Sequence, residues 1–272
     1  MKVCNFIKKH SVLAVLILMI VCLTGSTIPM RNLFEKISSY PNAILLEGLV
    51  LQGVLALLCY GFIKILGDNE DLGLRFENSI HDLWVTWPFV VYIIMNIAGS
   101  ISEIPNIHVG VSSVLLYIIT FIITGLFEEI LVRGAALKVF IHRYGKSKKG
   151  LFKAVIVCNI VFGLANLNSY FTGQADLMTT GVKIINAISL GILYCAIFLR
   201  TKSLWIPVII HSLIEICGNV QILEINSKEA LEAMITGNTI TLEAAFQVVC
   251  MSLPFLIAGL FFLKGVKEGT KD

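Results

Sequence analysis

Apolar residues fill eight long runs along the chain, and short polar stretches separate these runs. A membrane hydrocarbon core about 30 Å thick needs about 20 predominantly apolar residues per helix, which is the order of length of these runs. We therefore predict an all-α, polytopic bundle of about eight transmembrane helices. The predicted spans are residues 11–28, 43–63, 83–101, 111–141, 151–167, 179–199, 205–220 and 241–263.

The composition favours a protein that is embedded in lipid. Hydrophobic residues make up 57% of the 272 residues and charged residues only 14%, whereas soluble domains contain about 25% charged residues. The formal net charge is only +3, and no basic block indicates a nucleic-acid surface. These features exclude an ordinary soluble domain. They predict the lipid bilayer as the surroundings of the chain and no nucleic-acid partner.

The distribution of basic residues predicts an orientation in the membrane. Most of the 21 Lys and Arg residues lie on one side of the predicted bundle, in the same set of polar stretches as the two termini. Loops rich in Lys and Arg stay in the cytoplasm during insertion. We therefore expect an integral protein of the cell membrane with both termini in the cytoplasm.

The fourth predicted span carries two adjacent acids and an arginine. A charged side chain at mid-bilayer costs about 2.5–3.5 kcal/mol even on a lenient scale, so such groups need a reason to be there. Glu129 and Arg133 are four residues apart and share a helix face, so we expect them to pair. Glu128 lies about 100° around the helix, in line with Thr120 and Thr124, and lacks that partner. We expect one helix here, and a bend in its second half stays open.

Two further spans carry polar stripes at helical spacing. The fifth places Asn159, Gly163 and Asn166 along one side, and the seventh places His211 and Glu215 together on one face. Counted from the inner loops at about 1.5 Å per residue, Glu128 and Asn166 lie roughly 20 Å deep and His211 roughly 12 Å, so we expect the three to meet in one polar cavity. A spare carboxylate, an imidazole and an amide supply a base, a titratable donor and a water-orienting group, which are the parts for hydrolysis.

Each feature alone also has a structural interpretation. Alone, the pair of Glu129 and Arg133 is more often a structural tie than a catalytic group, and Asn166 is more often a donor of an interhelical hydrogen bond. A single buried histidine, His211, is compatible with either role. Four polar residues in other spans are predicted only to hydrogen-bond neighbouring helices: Glu47, Gln52, Asn96 and Asn186.

Taken together, the motifs resemble the intramembrane CAAX-protease and bacteriocin-processing group, which includes the prenyl endopeptidase Rce1 and bacterial Abi proteins. The E-E-x-x-x-R motif is matched in full by Glu128, Glu129 and Arg133. The F-x-x-x-H motif occurs at residues 162–166, where asparagine replaces the histidine. The third motif is a histidine followed four residues later by Asn or Asp. It occurs at residues 211–215, where it begins with His211 and ends with the longer acid Glu215.

The resemblance implies a peptidase that hydrolyses a peptide bond of a membrane-associated substrate, prenylated or leader-type, with a water activated by glutamate. By this resemblance Glu128 is the base, and Glu129 is held by Arg133. Asn166 takes the place of a water-binding histidine, and His211 polarises or protonates the scissile group. Glu215 lies on the oxyanion side. Taking a carboxylate out of water makes it a stronger base near neutral pH, which is an independent reason for choosing Glu128.

The same resemblance divides the chain into three parts: N-terminal transmembrane helices at 1–110, a catalytic core at 111–220, and an outer loop with a C-terminal helix at 221–272. A metal stays open, because some members of the group are described as metalloproteases. Glu128, His211 and Glu215 would form a set of two carboxylates and one imidazole that leaves one position open on a divalent ion such as zinc.

Two other functions stay open at this point. A family member without catalytic activity would keep the helices and lose two motif endings, and it would act as an immunity or partner-binding protein. A small proton-coupled transporter would use the buried acids and histidine as a relay. No inverted repeat with broken helices favours the transporter.

Overall fold

The computed structural model describes residues 7–67, 80–101, 107, 109–224 and 239–266. Within these residues the regular elements are helices and no strand is present, which confirms the predicted all-α membrane bundle. Residues 225–238, in the predicted outer loop, lie outside the described residues. The α-helices are α1 (Ser11–Gly25), α2 (Arg31–Phe34), α3 (Tyr40–Leu66), α4 (Trp87–Ser100), α5 (Val111–Glu129), α6 (Lys138–Tyr144), α7 (Lys148–Leu164), α8 (Leu167–Phe171), α9 (Leu177–Thr201), α10 (Trp205–Gly218), α11 (Gln221–Glu224) and α12 (Leu242–Lys264). A 3-10 helix, Ile80–Thr86, leads directly into α4.

Among the described residues, six helical stretches are long and apolar enough to cross a membrane, not eight. The predicted number is wrong because two apolar runs form shorter helices: α1 has 15 residues and α10 has 14. At 1.5 Å per residue each extends about 21–23 Å, which is less than the roughly 30 Å hydrocarbon core. The six long stretches make the chain an integral, multi-pass membrane protein. They are Tyr40–Leu66, Asp82–Ser100, Val111–Tyr144, Lys148–Phe171, Leu177–Thr201 and Leu242–Lys264.

The fourth predicted span is one continuous helical stretch whose pitch changes in the middle. After α5 ends at Glu129, a π-helical segment covers Ile130–Leu137, and α6 follows directly. Residues 131–137 of the π segment are all buried. π-helical turns are rare and often occur at functional sites. Here the turn begins immediately after the acid pair and includes Arg133, so the change in pitch lies at the predicted motif.

The long helices pack around α5 and α9. α3 and α10 pack against α5, while α7 and α12 pack along α9. α12 comes close to α9 at Gly259, where an added Cβ would lie 2.8 Å from the backbone nitrogen of Leu193. α9 also packs against α10 and against the π-helical segment, so the acid pair at the end of α5 and the histidine on α10 both lie near α9.

Two of the predicted interhelical hydrogen bonds join long helices. Thr124 Oγ1 in α5 donates to Gln52 Oε1 in α3. Ser252 Oγ in α12 donates to Asn186 Oδ1 in α9 at 2.9 Å. The predictions for Gln52 and Asn186 are therefore confirmed, and both bonds tie together neighbouring helices of the bundle.

The other two predicted side chains differ in outcome. Glu47 Oε1 accepts the backbone N–H groups of Met30 and Arg31 at 2.7 and 2.8 Å, so it holds the start of the short helix α2 and confirms its prediction. Asn96 Nδ2 donates to Tyr92 O at 2.8 Å, one turn earlier in the same helix. Among the described residues, the amide of Asn96 therefore bonds within its own helix, and the predicted bond to a neighbouring helix is not found.

Candidate active site

The helices that carry the acid pair and the histidine touch at a glycine. A Cβ added to Gly125 in α5 would lie 2.5 Å from Ser212 Oγ and 3.0 Å from Ser212 N in α10. Only glycine lets two backbones approach this closely. Because Gly125 is three residues before Glu128 and Ser212 follows His211, the contact sets the distance between the two motifs.

Glu129 and Arg133 form the predicted pair, and both are removed from solvent. Arg133 Nη1 donates to Glu129 Oε1 at 2.9 Å, with side-chain exposures of 1% and 0%. Arg133 Nη2 donates to the carbonyl oxygen of Gly191 in α9 at 3.0 Å. A buried charge is tolerated when it is paired and hydrogen-bonded. The pair therefore fixes the Glu129 carboxylate and ties the π segment to α9.

His211 lies between the two adjacent acids, Glu128 and Glu129. Its Nδ1 is 2.9 Å from Glu129 Oε1, and its Nε2 is 3.7 Å from Glu128 Oε2. Glu215 Oε1 is also 3.7 Å from Nε2. The structure thus brings together Glu128, Glu129, His211 and Glu215, and Arg133 holds this cluster through Glu129.

The two ring nitrogens of His211 have different roles in this arrangement. An ionised carboxylate only accepts hydrogen bonds, so the nitrogen facing Glu129 must carry a hydrogen. In the neutral imidazole, Nε2 then keeps its lone pair and can take a proton, and once protonated it can give that proton up. Glu128 and Glu215 side chains are 29% and 31% exposed, whereas Glu129 is at 0%. The proton-exchanging nitrogen therefore lies on the more open side of the cluster.

Glu215 has a second partner at the end of α10. Asn219 Nδ2 donates to Glu215 Oε2 and to the Glu215 backbone oxygen, both at 2.9 Å. An amide thus stands one helical turn after the acid that ends the third motif. It directs one oxygen of Glu215 away from His211 and leaves Oε1 near Nε2.

Hydroxyl groups from two other helices hold the carboxyl end of α10. Tyr117 in α5 donates to the carbonyl oxygen of Ile216, and Ser100 in α4 donates to that of Cys217, each at 2.5 Å. The last carbonyls of a helix have no partner within it, so these bonds supply what the helix lacks. They anchor the short helix that carries His211.

Asn166, the predicted water-orienting amide, lies in the turn after α7. Its Nδ2 donates to Gly163 O at 3.0 Å. Within the described part of the chain, its side chain makes no hydrogen bond to Glu128, Glu129 or His211. Among the described residues, Asn166 is therefore not hydrogen-bonded to the acid pair or to the histidine, and its place in the site stays a prediction.

Sequence analysis missed two residues of α9 that border the cluster. The Gly191 carbonyl binds Arg133, and an added Cβ at Gly191 would collide with Asn159 Oδ1. The Tyr194 ring contacts both Arg133 and His211. Both residues occur three positions apart in a predicted span, and the only available signal was a glycine and a tyrosine on one helical face. That signal is too common in membrane helices to indicate a site.

The zinc prediction finds no support in the arrangement of the side chains. Among the described residues, no group of three or more His, Cys, Asp and Glu is placed to hold a metal ion. Glu128 and Glu215 each approach the same nitrogen of His211 at 3.7 Å, and Glu215 Oε2 is bound by Asn219. The zinc site therefore stays a prediction, and no step below uses a metal.

A comparison with protein-family models agrees with the motifs. The family described as type II CAAX prenyl endopeptidase Rce1-like matches residues 110–217, a range that contains every predicted site residue. No curated protein is detectably similar to the chain. No solved structure is detectably similar to it. Residues 110–217, which carry the acid pair, its arginine and the facing histidine, therefore form an Rce1-like region, similar to the CAAX-type membrane proteases.

Proposed function

We propose that this chain is an intramembrane endopeptidase that hydrolyses a peptide bond of a membrane-associated peptide or protein, with a water activated by Glu128. The observation that carries the proposal is the position of His211 between the two acids of the motif. Nδ1 faces the buried Glu129 and Nε2 faces the more exposed Glu128. One acid is committed to structure and the other is available for chemistry.

Glu128 is the base in this proposal. Its carboxylate takes a proton from a water molecule as the water oxygen attacks the carbonyl carbon of the scissile bond. General base catalysis of this kind contributes about 10²- to 10⁴-fold to a rate. Neither carboxyl oxygen of Glu128 is hydrogen-bonded to another described residue, so a water can bind there.

His211 is the acid. With Nδ1 held by Glu129, a protonated His211 donates from Nε2 to the leaving nitrogen as the carbon–nitrogen bond breaks. The proton that Glu128 took from water then passes to Nε2, which is 3.7 Å from Glu128 Oε2. Both groups return to their starting states, and the products are a carboxylic acid and an amine. Glu129 orients the imidazole as the carboxylate does in a Ser-His-Asp triad.

The substrate class follows from the surroundings of the cluster and from the family. The site lies in apolar helices, so the peptide must reach it from the membrane, either through an attached lipid or through its own apolar segment. We propose a prenylated or leader-type peptide, in a cell membrane with both protein termini in the cytoplasm. Glu215 and Asn166 stay proposed site residues, on the oxyanion side and at a water-binding position.

A non-catalytic role as an immunity or partner-binding protein is the second candidate. One observation favours it: Asn166 replaces a histidine of the family motif and bonds locally to Gly163. Asparagine neither exchanges a proton nor binds a metal strongly. In that role, binding or protection should survive Glu128→Gln, whereas cleavage should not.

The test is a cleavage assay with purified protein in lipid nanodiscs. A prenylated peptide, the same peptide without the lipid, and a leader-type peptide are incubated with wild type, Glu128→Gln and Glu243→Gln, and products are identified by mass spectrometry. Glu243 is an exposed acid at the start of α12, so its variant is the matched control. Parallel reactions with a chelator and with added zinc test the metal prediction.

The proposal expects wild type and Glu243→Gln to cleave at least one lipid-associated peptide and Glu128→Gln to lose that cleavage. Equal cleavage by all three proteins would exclude Glu128 as the base. Binding of a peptide without cleavage by any of them would favour the non-catalytic role. Proton-coupled flux in liposomes that depends on Glu128 or His211 would instead support a transporter.

A further inference from the structure

Tyr194 of α9 contacts both side chains that bond to the Glu129 carboxylate, namely His211 and Arg133. The centroid of its ring is 5.4 Å from that of His211, and the two ring planes differ by 23°. The guanidinium carbon of Arg133 is 5.0 Å from the centroid of the same ring. One aromatic side chain from outside the three motifs thus contacts the imidazole and the cation that hold the buried carboxylate.

The position of Tyr194 is itself well fixed. Its ring stacks on Phe89 of α4 with a centroid distance of 4.2 Å and an interplanar angle of 29°. Tyr194 is 5% exposed and Phe89 is fully buried. Offset stacking between aromatic rings contributes about 0.5–1.5 kcal/mol beyond the buried area. A ring held this way is a rigid surface for its neighbours.

The ring of Tyr194, rather than its hydroxyl, makes these contacts. The hydroxyl forms no hydrogen bond to another residue in the part of the chain that the structure describes. Phenylalanine would therefore keep every contact described here, while leucine would remove the stacking surface. This difference separates the ring from the hydroxyl in an experiment.

His211 needs such a surface because a single short hydrogen bond fixes its ring. The bond to Glu129 holds Nδ1 at 2.9 Å, whereas Nε2 is 3.7 Å from each of its neighbours. A ring held at one atom can still tilt, and a tilt moves Nε2 away from Glu128. We infer that Tyr194 is a positioning residue for His211. The Tyr194 ring packs on the imidazole and on Arg133, and it keeps Nε2 of His211 directed at Glu128. The inference rests on the proposed function.

The experiment compares wild type, Tyr194→Leu, Tyr194→Phe and the control Phe255→Leu in the cleavage assay. Phe255 belongs to the same aromatic group, since it packs on Phe89 with a centroid distance of 5.7 Å, and it makes no ring contact with His211. Misplacing a reacting group by about 1 Å costs up to about 10²-fold in rate. Tyr194→Leu should lower kcat about 10- to 100-fold and leave KM within about twofold. Tyr194→Phe and Phe255→Leu should keep kcat within about threefold.

A second measurement reports on His211 without cleavage. Protein labelled with ¹⁵N in its histidine rings gives signals for His211 that are assigned by their absence in His211→Gln. Wild type, Tyr194→Phe and Phe255→Leu should give one sharp pair of ring nitrogen signals for His211. Tyr194→Leu should give a broadened or doubled pair, because its ring samples more than one orientation.

The two readouts separate the possible failures. Unchanged kcat and unchanged His211 signals in Tyr194→Leu would overturn the inference. A loss in Tyr194→Phe equal to that in Tyr194→Leu would also overturn it, because the hydroxyl would then be the acting group. If wild type cleaves no peptide, the proposed function fails, and the nitrogen signals still decide whether Tyr194 positions His211.

Discussion

His211 and Glu129 are 82 positions apart in the chain, and the structure joins them by a 2.9 Å contact between Nδ1 and Oε1. The contact joins α10 to the end of α5. The same carboxylate oxygen accepts a hydrogen bond from Arg133 at 2.9 Å. The orientation of the His211 imidazole therefore depends on the buried ion pair of Glu129 and Arg133. This pair lies away from the side of the cluster where Glu128 and Glu215 are partly exposed.

Removal of Arg133 should strongly destabilise the protein. Arg133→Met leaves the Glu129 carboxylate buried without its cation, and breaking a buried pair on one side costs about 3–5 kcal/mol. The midpoint of thermal unfolding in one detergent gives the measurement. The double variant Glu129→Gln with Arg133→Met should be less destabilised than Arg133→Met alone, because no charge is then stranded. Equal loss in both proteins would show that packing, rather than charge, sets the cost.

The approach of α5 to α10 should tolerate no side chain at Gly125. Gly125→Ala places a methyl group against Ser212 Oγ and N, and overpacking of this kind costs about 1–3 kcal/mol. Because the contact lies beside both motifs, cleavage should fall together with the unfolding midpoint. Gly61→Ala is the matched control, since an added Cβ in α3 meets nothing within 4 Å there. An unchanged midpoint in Gly125→Ala would contradict the account of this contact.

Asn166 should contribute less to catalysis than Glu128. Its amide bonds to the carbonyl of Gly163 and, among the described residues, forms no hydrogen bond to either acid of the motif, so Asn166→Ala should lower kcat/KM by less than about 10-fold, compared with about 10²- to 10⁴-fold for a general base. Steady-state kinetics on the best peptide from the panel measures both variants. A loss for Asn166→Ala as large as that for Glu128→Gln would place Asn166 in the reaction.

The start of α9 should lose stability in acid. Asp176 caps this helix by accepting a hydrogen bond from the Thr179 N–H at 2.7 Å, and hydrogen bonds from Thr179 lower the pKa of Asp176 below its usual value. Since the folded pKa lies below the unfolded value of about 3.9, the carboxylate stabilises the fold above that value and stops doing so as the pH falls through the folded pKa.

The check is the difference in unfolding midpoint between wild type and Asp176→Ala at pH 7 and at pH 3. The difference should shrink at the lower pH, because protonation of Asp176 in the wild type removes part of its charged cap. Asp176→Asn keeps a capping side chain without a titrating group. A difference between wild type and Asp176→Ala that stays constant across this range would show that the charge plays no part.

Much of the bundle and part of the site could be predicted from local spacing. Apolar runs identify helices because lipid requires them, and the four-residue spacing of Glu129 and Arg133 predicted a pair that the structure contains. The same runs overestimated the number of spans, since hydropathy does not show that α10 ends at Gly218. Helix ends depend on tertiary contacts, such as the hydroxyl of Tyr117 on α10.

Contacts between helices that are distant in the chain could not be predicted from the sequence. The bond from His211 to Glu129 depends on the rotation of α10 about its axis, and the stacking of Tyr194 depends on how α9 packs between its neighbours. The position of Asn166 depends on where α7 ends, at Leu164, two residues before the asparagine. Helical periodicity continued through that point and gave no sign of the end.

The most direct test of the central claim is the single-turnover rate constant for peptide cleavage by wild type and Glu128→Gln in the same lipid nanodiscs. The substitution keeps the size of the side chain and removes its ability to accept a proton from water. The account predicts a rate about 10²- to 10⁴-fold lower for Glu128→Gln, with unfolding midpoints that agree between the two proteins. Equal rate constants for two equally folded proteins would contradict the assignment of Glu128 as the base.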